Sequence, residues 1–244
     1  MNTLFVLIAK QLLKLRTPAR CLAFGLVLLI GSGAVAWGQT VTLTLSSTSP
    51  WEVPAGVTEI TVEVWGAGGR GGTRTSAGVG GGGGGGAYSR SVISVTPLQT
   101  IPFSVGAGST TTSPGGDTWF SSSTTLMAKG GNSAADNSVT GATGGNATAG
   151  YGTFKFSGGS GWTASGNGGG GGSSAGSASN GTTATSATGA TAPTDGGDGG
   201  DGATDGNGAG VAGSIPGGGG GGAKKTGGGL LANLEVQVET AKSS

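Results

Sequence analysis

Thr58-Glu-Ile-Thr-Val-Glu-Val-Trp65 runs directly into Gly66-Ala-Gly-Gly69, and this junction sets the terms for the whole chain. Ile60, Val62 and Val64 alternate with Glu59, Thr61 and Glu63, the period of two that marks a half-buried strand. The residues after Trp65 have almost no side chain to bury, so whatever orders them must act through the backbone. The strand period recurs elsewhere. Val41, Leu43 and Leu45 alternate with threonines, residues 87–95 and 124–128 read as strands, and Ile101, Phe103 and Val105 alternate around Pro102, which marks an edge strand. Near the end, Leu234, Val236 and Val238 alternate with Glu235, Gln237 and Glu239. That segment has no neighbour in sequence to pair with, so it is expected to return to the front sheet as a closing strand over 230–240. Nothing after the first forty residues carries the i, i+3, i+4 apolar spacing of a helix, and glycine costs about 1 kcal/mol per helical position relative to alanine.

Composition narrows the function classes. The chain has 244 residues, of which 59 are glycine, and only 9% are charged. It has no histidine, which removes a Ser-His-Asp triad, an imidazole base and any histidine metal ligand. Its one cysteine, Cys21, allows neither an internal disulfide nor a Cys-rich zinc site. The formal net charge is +1, which gives no footprint for nucleic acid.

The first forty residues read as an address. Lys10, Lys14, Arg16 and Arg20 precede an apolar run that begins at Cys21 and ends in the small residues Ala34 and Ala36. A basic region, a short apolar core and a small-x-small site make a secretory signal over residues 1–36, cut after Ala36 or Gly38. The run is shorter than the ~20 residues of a membrane span, so a retained anchor is the weaker alternative. Cys21 precedes the apolar core, whereas a lipid-carrying cysteine follows it. Four of the twelve basic residues lie before residue 36 and all eleven acids lie after it, so the exported chain carries a net charge of −3. The expected location is secreted or cell surface, with no membrane association after cleavage.

Two regions follow: a β-scaffold over 40–131 and a glycine-rich insertion over 132–229. Residues 129–229 hold 37 glycines. One reading is a flexible Gly/Ser linker joined to a β-domain. The sharper reading is a bundle of polyglycine II helices, with three residues per turn and ~3.1 Å rise, every backbone group pointing outward to a neighbour. Ordering a residue costs ~1–2 kcal/mol and one net hydrogen bond returns about 1 kcal/mol, so such a bundle needs a scaffold that fixes its ends. The expected fold is therefore mainly β plus polyglycine II helices: a small antiparallel β-sandwich or sheet with an inserted glycine-rich bundle and no α-helix beyond the signal.

Ordered motifs carry a resemblance. Trp51-Glu-Val-Pro-Ala-Gly-Val57 and Val62-Glu-Val-Trp-Gly-Ala-Gly-Gly69 are followed by the 81–86 glycine run with Ala87-Tyr88-Ser89, by Val95-Thr-Pro-Leu-Gln99 and by Val105-Gly-Ala-Gly108. Gly115-Gly-Asp-Thr-Trp-Phe120, Ala128-Lys-Gly-Gly131 and the 217–222 run complete the order. Over roughly residues 48–240 this resembles the bacterial and phage glycine-rich domain proteins. The resemblance implies packed polyglycine II helices on a small β-structure, similar to phage tail-tip adhesins and the glycine-rich ectodomain of anaplastic lymphoma kinase-type receptors. The roles it implies are adhesion and ligand recognition, with no enzyme chemistry. Where the family pattern has Pro-Gly-Gln, this chain has Pro97-Leu98-Gln99, with no glycine to supply a positive φ. Leu230-Leu231-Ala232, before the closing strand, is an apolar departure from the pattern.

Few motifs look chemical. Gly66-Ala-Gly-Gly-Arg-Gly71 spells the dinucleotide fingerprint, but that motif needs a helix directly after it and more glycine follows. Asp195, Asp198 and Asp201 recur every three residues within a single G-G-x-G-x-D unit. They form a weak calcium candidate, the alternative being a solvated outer edge, since calcium takes six to eight oxygens. Glu59 and Glu63 share a strand face, as a glycosidase pair or simply as its polar side. Trp51, Trp65 and Trp119 are candidates for a ligand surface that stacks sugars, or else caps of a small core. No catalytic residue, metal site or cofactor is expected. The expected function is a secreted, non-enzymatic structural or adhesive protein that self-assembles or meets surface glycans. The alternative is a carbohydrate- or ice-binding module with a flat polyglycine II face.

Overall fold

The computed structural model describes residues 39–44 and 46–227. The signal segment, the 230–232 departure and the 234–239 strand pattern lie outside them. The chain divides into two compact units at Thr42 and Leu43. Of the first unit, only residues 39–42 are described, and they carry no regular structure.

Among the described residues of the second there are ten strands: β1 Trp51–Glu52, β2 Glu59–Trp65, β3 Gly78–Val79, β4 Tyr88–Ser94, β5 Thr100–Ile101, β6 Phe103–Ser104, β7 Thr118–Phe120, β8 Leu126–Ala128, β9 Phe154–Phe156 and β10 Lys224–Lys225. One 3-10 turn, Ala147–Ala149, is capped by the Asn146 side chain, which accepts from the Thr148 N–H. All strand pairs are antiparallel and form four small sheets, β1–β5, β3–β10, β2–β4–β9 and β6–β7–β8. Pro102 separates β5 from β6, so the expected single strand around it becomes two, each pairing in a different sheet. The 41–45 alternation produces no strand among the residues described there.

Val64, Val53, Ile101, Phe103, Phe120, Leu126 and Ala128 make the buried core, with Ile60, Val62 and Ile93 packed against it. The inward residues of β2 are the ones its alternation assigns inward. Ser89, on the same face of β4, is fully buried and donates its hydroxyl to the Met127 carbonyl at 2.7 Å.

The expected β-sandwich carrying a polyglycine II helix bundle is corrected by this arrangement. The regular elements are antiparallel strands in separate two- and three-stranded sheets that do not close into a sandwich, and no polyglycine II helix is among them. The reason lies in how the glycine stretches are registered. In the β2–β4 hairpin Trp65 faces Tyr88. The same antiparallel register carries on beyond the strands, through Gly66 N–H to Ala87 O, Gly69 to Gly84 and Gly72 to Gly81, all at 2.8–2.9 Å. Likewise β3–β10, with Val79 opposite Lys224, continues through Gly80 to Ala223, Gly83 to Gly220 and Gly86 to Gly217. Residues 66–72, 80–86 and 217–223 thus continue the register of the β pairs they adjoin, bonded at every third residue.

Within residues 80–86 successive N–H groups point to different neighbours. Those of Gly81 and Gly84 go to Ser138 and Asn132, and those of Gly82 and Gly85 to Trp162 and Gly159. The carbonyls of the same run accept from 69–72, 142–145 and 169–175. Segments are bonded on every side, which is possible only where no Cβ intervenes: a Cβ built on any residue from 80 to 86 meets a backbone carbonyl oxygen of another segment. These bonds also set aside the flexible-linker alternative for the residues described.

The Pro97-Leu98-Gln99 turn keeps a positive φ without glycine. Leu98 sits at φ 64°, its N–H bonded to Val53 O at 2.9 Å and its side chain exposed.

Candidate functional site

Strand pairing brings two rows of side chains across the outer face of the β2–β4–β9 sheet. Trp65 lies opposite Tyr88, which lies opposite Phe156. Their ring centroids are 4.9 and 6.1 Å apart, the first pair tilted and the second stacked. In the next row Glu63 faces Arg90 and Arg90 faces Phe154. The Arg90 guanidinium lies 3.8 Å from the Glu63 carboxylate and 4.5 Å from the Phe154 ring centre. The Tyr88 hydroxyl joins the rows by donating to Glu63 Oε1 at 2.7 Å. Tyr88 is fully buried, while Phe154 and Val92 remain half exposed. Burial, reinforced by the hydrogen bond and negative charge of Glu63, raises the Tyr88 phenol well above its usual range. The face thus combines a closed aromatic end with an open end bearing charge, a guanidinium–ring contact and exposed apolar surface.

The candidates read from sequence are dispersed. Trp65 belongs to the aromatic row, with its indole N–H donated to the Ala175 carbonyl at 3.0 Å. Trp51 tilts against Phe120 at 5.9 Å and packs on the core. Trp119 is half-buried, on the face of β7 opposite the buried Thr118 and Phe120. No two of the three tryptophans are in ring contact among the described residues. Glu63 is engaged by Tyr88 and Arg90, and Glu59 is exposed two positions further along the same face. Asp195 accepts from the Ser177 hydroxyl at 2.6 Å, Asp198 from the Ala192 N–H at 2.6 Å and Asp201 from the Gly189 N–H at 2.7 Å. Each carboxylate thus caps its own stretch of chain, and no cluster of three metal-ligating side chains occurs among the described residues. No helix follows Gly66–Gly71, and Arg70 pairs with Asp136 at 2.7 Å.

Tyr88, Arg90, Phe154 and Phe156 were not singled out from sequence as site residues. The strand reading of 87–95 does place Tyr88, Arg90 and Val92 on one face, but Phe154 and Phe156, the β9 partners of Arg90 and Tyr88, lie more than 60 residues further on, across glycine that carries no pattern.

A second feature is an open groove of about 540 Å³ lined by Asp117, Lys129, Asn132, Thr143, Asn146 and Ser157 among others. Lys129 Nζ pairs with Asp117 Oδ2 at 2.6 Å, and the Asn132 amide donates to Thr143 Oγ1 at 2.7 Å. The lining is hydroxyl, amide and a compensated ion pair. Around residue 70, Asp136 gathers the Thr73 hydroxyl at 2.6 Å, Arg70 at 2.7 Å and the Thr73 N–H at 3.0 Å. These bonds, the Thr73 hydroxyl first, lower its carboxyl to about 2.

The fold and its sites define a class: an antiparallel β-protein whose glycine segments are bonded backbone to backbone and whose side-chain chemistry lies on the surface. The Glycine-rich domain family matches residues 43–233, and the chain belongs to that family. No curated protein and no solved structure matches it. No helix among the described residues is long and apolar enough to cross a membrane.

Proposed function

We propose that the chain is an exported, non-enzymatic structural or adhesive protein of the cell surface or its surroundings. The observation that carries this reading is the glycine run 80–86, bonded through its backbone to segments on every side. Such an interior is closed to ligands and stiff, and it leaves the outer strands and turns as the surface that does the work. The basic and apolar residues before Ala36 support export. Fractionating cells that express a C-terminally tagged chain tests it. The tagged protein is expected outside the cytoplasm, with a mass lacking residues 1–36 or 1–38. Full-length protein retained inside the cell overturns the reading.

A saccharide-binding module is the second reading. The groove around Asn132 and Thr143 favours it, because hydroxyl and amide groups without net charge suit a neutral sugar. Binding on a glycan array that is lost in Asn132→Ala would select it.

A further inference from the structure

We infer that β2 is the acceptor edge for the 234–239 segment of a second copy, so that copies join head to tail. The proposal names the partner of the exported protein proposed above, and so rests on that reading.

Among the described residues β2 is an edge strand, paired on one side only, with β4. Bonds at both ends of the hairpin fix which groups face outward. Val95 N–H goes to Thr58 O and Gly66 N–H to Ala87 O, so even-numbered residues bond to β4 and odd-numbered ones point away. The outward N–H and C=O groups of Glu59, Thr61 and Glu63 find no backbone partner among the described residues. An edge of this length is a template for another strand. Ile60 and Val62, on its inner face, are only half-buried and pack at the margin of the core.

The chain contains one segment with the complementary pattern that the described residues do not include. Leu234, Val236 and Val238 alternate with Glu235, Gln237 and Glu239. Added to β2 in register, its apolar residues would extend the Ile60–Val62 face.

Length decides that the donor is another copy. The described chain ends at Gly227, beside Ala77, two residues after Lys225 pairs with Gly78. The near end of β2 is Trp65, which lies opposite Tyr88, ten residues along the extended run from Gly78. Ten extended residues span about 32 Å. The seven residues from Gly227 to Leu234 reach at most about 25 Å. Leu234 therefore cannot arrive at Trp65 of its own chain, and the whole segment cannot lie along its own β2. A neighbouring copy has no such limit. Because the donor leaves from one end of the glycine region and the acceptor lies beyond the other, the contact is heterologous and propagates. Glu235 and Glu239 would share a face with Glu59 and Glu63, so association should strengthen as salt screens them.

The test uses the full purified chain with Cys21→Ser, which leaves no native thiol. Chains carrying Thr61→Cys are mixed with chains carrying Gln237→Cys and oxidised. The 61–237 disulfide is expected to form at least tenfold faster than either homodimer. Sedimentation of the unsubstituted chain is expected to show a mass that rises with concentration and with salt, and Val236→Pro is expected to abolish the rise. Heterodimer formation no faster than homodimer formation overturns the proposal. So does a 61–237 bond that closes only within a chain carrying both cysteines. Fractionation tests export and these assays test assembly, so either can fail without the other.

Discussion

Leu98 holds a left-handed backbone conformation that costs a residue with a side chain about 1–2 kcal/mol. Its side chain is 62% exposed, so little packing compensates. Leu98→Gly should relieve that cost, partly offset by the ~0.4–1 kcal/mol of extra unfolded-state freedom that glycine brings. The expected result is a gain of about 0.5–1 kcal/mol, read as a rise of roughly 2 °C in the melting midpoint. A lower midpoint would mean that Leu98 packs on something in solution. Asp136 makes the opposite kind of residue-scale contribution. Its carboxyl is lowered from 3.8 to about 2, so the folded state binds its proton less readily than the unfolded chain. Stability from this group is present above pH ~4 and is lost as pH falls toward 2. Asp136→Asn should be less stable than the parent at pH 7, and most of that difference should be gone at pH 2. Urea melts at the two pH values check this, and a difference that is undiminished at pH 2 would point to packing instead of charge.

At the scale of elements, the Tyr88 phenol links β4 to Glu63 on β2 from a fully buried position. Because its folded-state pKa is raised above 10.0, stability should fall as pH climbs past about 10, where the unfolded chain ionises and the folded one does not. In an alkaline absorbance titration the Tyr88 phenolate should appear only with unfolding, and Tyr88→Phe should remove that late phase. The strands of this hairpin were legible in sequence because one face of each is buried, and burial writes a period of two. β3 and β10 were not. Gly78–Val79 and Lys224–Lys225 are two residues each, with the whole glycine region between them, and two residues cannot show a period. β9 was hidden for a related reason: Phe154 and Phe156 stand in glycine-rich sequence whose local pattern says nothing about the strand they will join. The site shared this fate. Trp65 was visible as an aromatic on a strand, while its row with Tyr88 and Phe156 exists only through pairing across long separations.

At the scale of the molecule, the glycine content fixed only that the interior would be backbone. It did not fix which segments would be neighbours, because glycines have no side chains to distinguish one register from another. For 66–72, 80–86 and 217–223 the register is supplied by the β pairs they adjoin. That makes the interior cooperative, and the 217–222 run tests it. Gly219 donates to Gly172 at 2.9 Å and accepts from Gly200 at 2.8 Å, and a Cβ there would meet Gly83 O, with the Gly83 and Gly84 carbonyl carbons at 2.7 and 2.8 Å. Gly219→Val must therefore push residues 83–84 away and disturb bonds to at least two segments. Each buried group left unpaired costs ~1–3 kcal/mol, against a total stability of ~5–15 kcal/mol for a typical domain. Ser186 is exposed, and its hydroxyl makes only a local bond to the Thr188 N–H. Ser186→Val should therefore cost less than about 0.5 kcal/mol. Hydrogen exchange should find slow amides throughout 218–222 in the parent, faster in Gly219→Val and unchanged in Ser186→Val. The loss should extend to residues 80–86, which have no sequence proximity to position 219 but donate to its neighbours Gly217 and Gly220. If exchange quickens only next to the substitution, the segments are ordered one by one and the β pairs at their ends do not make them a single cooperative unit.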